Sequence, residues 1–439
     1  MNGGLIVAAP ASGSGKTVVT LGLIRALKNA GRRVASLKIG PDYIDADFHR
    51  IAGGGACRNY DPWGMRAATL DAQASALAED CEVIVAEGVM GLFDGAADGS
   101  GSTADAALAL GWPIVLVVDV KGQGASAAAT IEGFRRHRAD TDIAGVIFNR
   151  VGGERHERLL RRAAAPLGVP VIGCVPRHPD LELPSRHLGL VQARERADME
   201  TWIQRAAEII GGALDMDAIA DLAAAAPGRE HGKQAPAPLP APIPAFGAHI
   251  AIAADDAFAF TYTHLLDGWQ AAGARLGYFS PLADQAPDAA ADGVFLPGGY
   301  PELHAAKLAG NETFLDGLRQ AAARGAAVYG ECGGFMVLGE SLTDAGGAEH
   351  RMAGLLPVKT SFAERRLHLG YRRLRLIADG PLGAAGEYLR GHEFHYASLT
   401  ETQAEPLFGV FDAEATALGD AGGRAGSVLG SFIHLLDRE

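Results

Sequence analysis

Short apolar runs of strand length recur along this chain, separated by amphipathic and turn-rich stretches. Leu5 to Ala9, Arg33 to Leu37, Val83 to Ala86, Pro113 to Val118, Ala144 to Phe148 and Val169 to Val175 form the first series. Runs of this kind, without polar alternation, predict strands buried on both faces of a parallel sheet. Helical patterns lie between them, among them Val18 to Leu27 and the Ala-rich Ser126 to Phe134, with a further helix reaching about Leu222. From Ala223 to Gly247 the pattern dissolves into Pro- and Ala-rich sequence, which reads as a semi-extended linker. The alternation then restarts with a strand at His249 to Ala253, a helix over Tyr262 to Ala272 and strands at Gly293 to Leu296 and Ala326 to Tyr329. A helix is predicted to begin within Phe335 to Leu342. The fold class is therefore α/β, with two doubly wound domains over residues 1–222 and 248–439 joined by the linker 223–247.

Composition narrows the function. A chain of 439 residues, 48% hydrophobic and 21% charged, is long enough for two domains with separate cores. Its net charge of −13 excludes general binding to nucleic acid or anionic membrane, so an anionic substrate requires locally concentrated positive charge. Cys57, Cys81, Cys174 and Cys332 have neither metal-like nor disulfide-framework spacing. No apolar run approaches the roughly 18 residues that span a bilayer, and a cytoplasmic location is expected. The oligomeric state is left open, a homodimer included.

Two stretches carry chemistry. After the first strand comes Pro10-Ala-Ser-Gly-Ser-Gly-Lys-Thr17 and then a helix, the arrangement that cradles nucleotide phosphates. Loop amides of Gly13, Ser14 and Gly15 would bind the anion, Lys16 the terminal phosphates, and the Thr17 hydroxyl Mg²⁺. Pro10 stands where the first glycine is usual, so this is a variant loop. Lys38-Ile-Gly-Pro-Asp-Tyr-Ile-Asp-Ala-Asp-Phe-His49 follows the second strand, where open α/β sheets bind ligands; a solvated acidic loop is the alternative. Glu87, directly after its strand, is placed to hold Mg²⁺.

The second stretch is Val328-Tyr-Gly-Glu-Cys-Gly-Gly-Phe-Met336. Small neighbours permit the sharp strand-to-helix turn that exposes a nucleophile near a helix N-terminus, which favours the thiolate of Cys332. Gly333 would donate one oxyanion hydrogen bond, and Gly299 of Pro297-Gly-Gly-Tyr-Pro-Glu302 the second. A buried structural cysteine is the alternative. His392, His395 and His434 compete for the role of base, His434 foremost because it ends a strand that could neighbour the turn.

In combination, Ser12-Gly-Ser-Gly-Lys-Thr17, Lys38 to Asp45, Glu87-Gly-Val-Met-Gly91, Arg186-His-Leu-Gly-Leu190, Gly298 to Glu302, Gly330-Glu-Cys-Gly-Gly334 and Gly391-His-Glu-Phe-His-Tyr396 resemble the cobyrinic acid / hydrogenobyrinic acid a,c-diamide synthases of corrin biosynthesis. The first half is similar to dethiobiotin synthetase and the second to class I glutamine amidotransferases. The resemblance implies an ATP- and glutamine-dependent ligase that takes ATP, Mg²⁺, glutamine and a corrin polycarboxylate. Glutamine would be hydrolysed through a thioester on Cys332 with His434 as base. ATP would phosphorylate the c and a acetate carboxylates, and ammonia would displace phosphate. It further implies adenine at Asn149, Mg²⁺ at Thr17, Asp45 and Glu87, and the macrocycle among Lys38, Asp42, Tyr43, Asp45, Asp94, Arg186 and His187. Many class I glutaminases carry a glutamate two residues after the histidine, but here that position is Leu436. The third triad member is therefore absent or supplied elsewhere, and a Cys-His dyad with slow basal glutaminase is the simpler expectation. Cobyric acid synthase and the nickel-sirohydrochlorin a,c-diamide synthase are the nearest alternatives. A P-loop switch ATPase with an inactive glutaminase-like domain is the alternative of another class; Ala11, where such ATPases carry lysine, and the intact Cys332 argue against it.

Overall fold

A computed structural model describes residues 3–78, 81–183, 185–186, 189–190, 198–226 and 241–439. The chain divides into two compact units, residues 1–63 with 70–237, and 64–69 with 238–439.

In the first unit, seven parallel strands form one sheet: β1 (Gly3–Ala8), β2 (Val34–Ile39), β3 (Cys57–Tyr60), β4 (Val83–Glu87), β5 (Ile114–Asp119), β6 (Ile143–Val151) and β7 (Val171–Pro176). Their spatial order is β3-β2-β4-β1-β5-β6-β7. β1 and β4 are wholly buried, as expected of strands covered on both faces. The strand order reverses around β1, which places a ligand crevice at the carboxyl ends of these strands. Helix α1 (Lys16–Asn29) starts directly after the phosphate-type loop. The stretch after β2, a ligand-binding segment or a solvated acidic loop by its sequence, winds into helix α2 (Tyr43–Gly53). Asp42 caps that helix by accepting hydrogen bonds from the Ile44 and Asp45 amides at 2.9 and 3.0 Å. The single helix expected to reach Leu222 is two, Met199–Ala213 and Met216–Ala225.

The second unit holds a six-stranded sheet. In spatial order its strands are Arg275–Phe279, His249–Ala253, Gly293–Leu296, Ala327–Glu331, Val428–Ser431 and Gly423–Ala425; the first five run parallel and the last antiparallel. Beside it stand a four-stranded sheet and a five-stranded antiparallel sheet, neither resolved by the periodicity reading. The helix after Cys332 is shorter than expected, only Gly333–Leu338. Of the predicted linker, 227–240 lie outside the described residues. Its far end is packed: Ile243 and Phe246 are buried, and Phe246 meets Trp269 edge-on at 5.0 Å.

Candidate active sites of the two units

In the first unit the loop between β1 and α1 turns through positive φ at Gly13 (78°) and Gly15 (85°), a conformation that side chains with a Cβ resist. Its shape is held from the ends of β5 and β6. Asn149 Nδ2 donates to the Ser14 carbonyl at 2.8 Å, and Arg150 Nη1 donates to the Gly13 carbonyl at 3.0 Å while pairing with Asp119. Ser14 Oγ closes the loop on the Ala11 carbonyl at 2.8 Å. Asn149, expected at adenine, thus has its amide on the loop backbone.

Below the loop, parallel register sets Lys38 of β2 opposite Glu87 of β4. Lys38 Nζ donates to Asp45 Oδ2 at 2.5 Å and to Glu87 Oε1 at 3.0 Å, with all three side chains largely buried. Thr17 Oγ1 lies 2.6 Å from Glu87 Oε1 and 3.5 Å from Asp45 Oδ2. His49 Nε2 lies 2.6 Å from Glu87 Oε2, and Lys16 Nζ lies 3.9 Å from Glu87 Oε1. Burial works against charge throughout, but the partners outweigh it at most positions. Glu87 is held well below the carboxylate range, against its own burial, chiefly by Lys38 and His49. Lys38 is raised, against burial, by Asp45 and Glu87. Burial and then Lys38 lower Lys16. Burial and Asp45 push Asp42 up to about 6. His49 closed the candidate ligand segment in the sequence but had no assigned role; its partner became visible only when α2 delivered it to Glu87.

Tyr43 is buried at the start of α2. Asp94 is exposed, and its Oδ2 accepts the Gly91 amide at 2.8 Å. Arg186 contributes backbone to the short strand Ser185–Arg186, while its side chain and His187 lie outside the described residues.

In the second unit Cys332 directly follows the strand Ala327–Glu331, with φ 47° and ψ −103°. Positive φ in a non-glycine residue is strained, and here neighbouring backbone enforces it. The Cys332 amide donates to the Ser431 carbonyl at 2.8 Å, and its own carbonyl accepts from Met336 at 3.2 Å. A Cβ on Gly334 would stand 2.0 Å from the Leu296 carbonyl, so the turn closes only with glycine there. The two residues whose amides are expected to stabilise an oxyanion approach closely: a Cβ on Gly333 would lie 3.0 Å from Gly299 N. The resting thiol is pushed well up, by burial first and then by Glu302, despite the Gly333 amide beside it. The site at rest therefore holds a thiol.

His434 does not end the strand beside the nucleophile. That strand, Val428–Ser431, stops at Ser431, and His434 belongs to the next one, Ile433–Arg438, in register with His392. A Cβ on Gly298 would stand 3.1 Å from His434 Nε2 and 3.3 Å from Cys332 Cβ, which brings base and nucleophile to one point. Burial, then His392 and His395, lower His434 to about 3, so its imidazole is neutral at rest, the form that can take up a proton. His392 is lowered to about 3 by burial and Arg372. His395 faces the Ala397 carbonyl and Glu393, both at 2.9 Å. His368, Glu393 and His395 cluster closely, but the two rings are stacked at 4.7 Å and Arg372 occupies the Glu393 carboxylate at 2.7 Å. Parallel rings do not aim their nitrogens at one metal ion.

The glutaminase-type half, residues 249–439, matches the family described as the CobB/CobQ-like glutamine amidotransferase domain. Residues 5–191 match the CobQ/CobB/MinD/ParA nucleotide binding domain. A protein of Brucella suis biovar 1 named hydrogenobyrinate a,c-diamide synthase is 54% identical over 99% of this chain and 98% of its own length. Proteins of the same name from Rhizobium meliloti and Rhodobacter capsulatus are 52% and 49% identical, each over 99% of this chain and at least 98% of their own.

Proposed function

The chain belongs to the hydrogenobyrinate a,c-diamide synthase family, and from that membership we propose that it converts the a and c acetate carboxylates of hydrogenobyrinate to amides, using ATP and glutamine. The observation that carries the glutaminase half is the strained Cys332 held beside a neutral His434. The Sγ proton passes to His434 Nε2 as sulfur attacks the side-chain carbonyl carbon of glutamine. The oxyanion is met by the Gly299 and Gly333 amides. The C–N bond breaks, ammonia leaves with the proton from His434, and water hydrolyses the thioester to glutamate.

In the first unit the loop amides, the start of α1 and Lys16 hold the triphosphate of ATP. A corrin carboxylate oxygen attacks the γ-phosphorus and ADP departs. Ammonia then adds to the acyl carbon and phosphate leaves. Activation is needed because a free carboxylate lacks a leaving group that an amine can displace. Lys38 lies where it can neutralise charge gathering around Glu87 and Asp45. Thr17, Asp45 and Glu87 offer three convergent oxygen donors of the hard type that suits Mg²⁺. The ion would shield the negative charge of the phosphates there. Asn149 and Arg150 preshape the loop, and adenine lies beyond Asn149 in this reading. In the same reading Tyr43 and Asp94 would border the macrocycle together with Arg186 and His187, whose side chains lie outside the described residues.

A mass-resolved assay tests the proposal, with hydrogenobyrinate, MgATP and either glutamine or ammonia, on wild type and Cys332→Ala. Two added amides, with the variant active on ammonia only, are expected. Amidation of cobyrinate but not of the cobalt-free substrate would overturn the substrate assignment and leave the mechanism standing. Full glutamine-supported activity in the variant would overturn the nucleophile.

A further inference from the structure

We propose that Glu331, the residue directly before the nucleophile, positions His434 and fills the place left by Leu436, which stands two residues after the histidine. The proposal rests on Cys332 and His434 being the glutaminase pair.

Three observations converge. Glu331 ends the strand that delivers Cys332, and its pairing partner in the next strand is Ser431, three residues short of His434. Its side chain is almost completely buried, yet it is ionisable, which sequence economy alone does not explain. One carboxyl oxygen, Oε1, accepts the Leu435 amide at 3.0 Å, which anchors the backbone beside His434. The other, Oε2, lies 3.7 Å from His434 Nδ1. With Nδ1 turned to Glu331, Nε2 lies on the side of Gly298 and Cys332. That is the orientation a base needs: one nitrogen on the nucleophile, the other on an acceptor that fixes the ring and its tautomer. At 3.7 Å the contact is longer than a hydrogen bond, and such contacts tighten when substrate fills the site.

The charge logic agrees. When the Sγ proton reaches Nε2, His434 becomes an imidazolium in a buried site that otherwise disfavours it. The groups facing it are Glu331 from the nucleophile strand, His392 and His395 from the strand Tyr388–His395, and Tyr262 ahead of the helix Thr263–Ala271. The two histidines oppose the new charge, whereas a carboxylate on Nδ1 favours it. Glu331 itself is pushed up to about 8 by burial, moderated by the Leu435 amide and Tyr329. Near neutrality it holds its proton much of the time. Glutamine turnover should therefore rise as pH passes through about 8 and the carboxylate forms. On the Cys332 side of the site, burial first, then Glu302, Glu331 and Glu393 keep the thiol protonated in the same range.

The experiment compares wild type, Glu331→Gln, Glu331→Asp, His434→Ala and the double variant Glu331→Gln/His434→Ala. Glutamine-supported and ammonia-supported amidation are both followed, and kcat/KM for glutamine is measured from pH 6 to 9. Glu331→Gln is expected to lower glutamine-supported kcat/KM by about 10²-fold or more, approaching at most the roughly 10⁴-fold loss found when a triad carboxylate becomes its amide. The ammonia-supported rate of the same protein serves as the measure of an intact fold. The limb near pH 8 should vanish in Glu331→Gln and persist in Glu331→Asp. In the His434→Ala background Glu331→Gln should cost nothing further, because it acts through a ring that is gone. Glutamine activity within twofold of wild type in Glu331→Gln would overturn the proposal. So would an equal loss with and without His434, or absence of the limb in both wild type and a well-folded Glu331→Asp. A Cys332→Ala enzyme that still hydrolyses glutamine would instead sink the underlying reading of the nucleophile, a separate outcome.

Discussion

Gly298 is where a single methyl group should separate the two activities. A Cβ built there stands 2.4 Å from His434 Cε1, whereas ordinary contact begins near 3.4 Å. The imidazole must retreat by about 1 Å, or the backbone must give way. A displacement of that size at a reacting group costs about 10²-fold in rate, equivalent to about 2.7 kcal/mol. If the backbone yields instead, overpacking of this kind costs about 1–3 kcal/mol of stability. Gly298→Ala should therefore lower glutamine-supported amidation by about 10²-fold while ammonia-supported amidation persists. The assay pairs both nitrogen sources on one preparation and adds a thermal melt. Gly299→Ala gives the contrast: its Cβ would lie 2.0 Å from the Ala257 carbonyl, a backbone atom with nowhere to go, so loss of folding is expected in place of a selective defect. Wild-type glutaminase and an unchanged melt in Gly298→Ala would refute the placement of His434 against Cys332.

The first unit was legible because its strands are buried on both faces and announce themselves as unbroken apolar runs. β1, β4 and β5 begin and end within two residues of the runs that predicted them. The strand His368–Leu376 is different: His-Leu-Gly-Tyr-Arg-Arg-Leu-Arg-Leu carries arginines between its apolar residues, and the sheet built on it left no continuous signal. Phe246 shows the same masking by composition, a core anchor hidden in a Pro- and Ala-rich stretch. Asp42 was placed at the macrocycle by family resemblance, but an Asp ahead of a helical run is also an N-cap signal, and the structure uses it that way. His49 and Glu87 are 38 residues apart and meet only because β2 and β4 are neighbours, which topology decides and local pattern does not. Glu331 was in plain view beside Cys332. The position two residues after His434 on its own strand is Leu436, whereas the carboxylate that faces Nδ1 arrives from the strand before the nucleophile.

Further expectations follow from these same placements. Glu87→Gln leaves Lys38 and His49 buried without their carboxylate, and should destabilise the first unit by about 3 kcal/mol or more in urea titrations while ATP consumption collapses; a stable variant with normal ATP turnover would contradict its role. Asp42→Ala removes the cap of α2 and should cost about 1 kcal/mol, read from the same titrations. The pH dependence of the second unit's stability has opposing limbs. His392 and His434 are held near 3 in the folded chain against about 6.5 when unfolded, so below pH 6.5 the unfolded chain binds more protons and each histidine removes about 1.4 kcal/mol per pH unit of acidification. Glu331 works the other way: raised to about 8 from an ordinary 4.5, it favours the folded state below pH 4.5 and loses that contribution progressively as pH climbs from 4.5 to 8, again by about 1.4 kcal/mol per unit. Two histidines outweigh one glutamate between pH 4.5 and 6.5, and the glutamate acts alone above that, so stability should peak near pH 6.5. Hydrogen exchange in the strands His249–Ala253 and Ala327–Glu331 of the full chain measures it. Glu331→Gln should abolish the decline between pH 6.5 and 8, and a wild-type curve that keeps rising through that interval would show that Glu331 is ionised at rest.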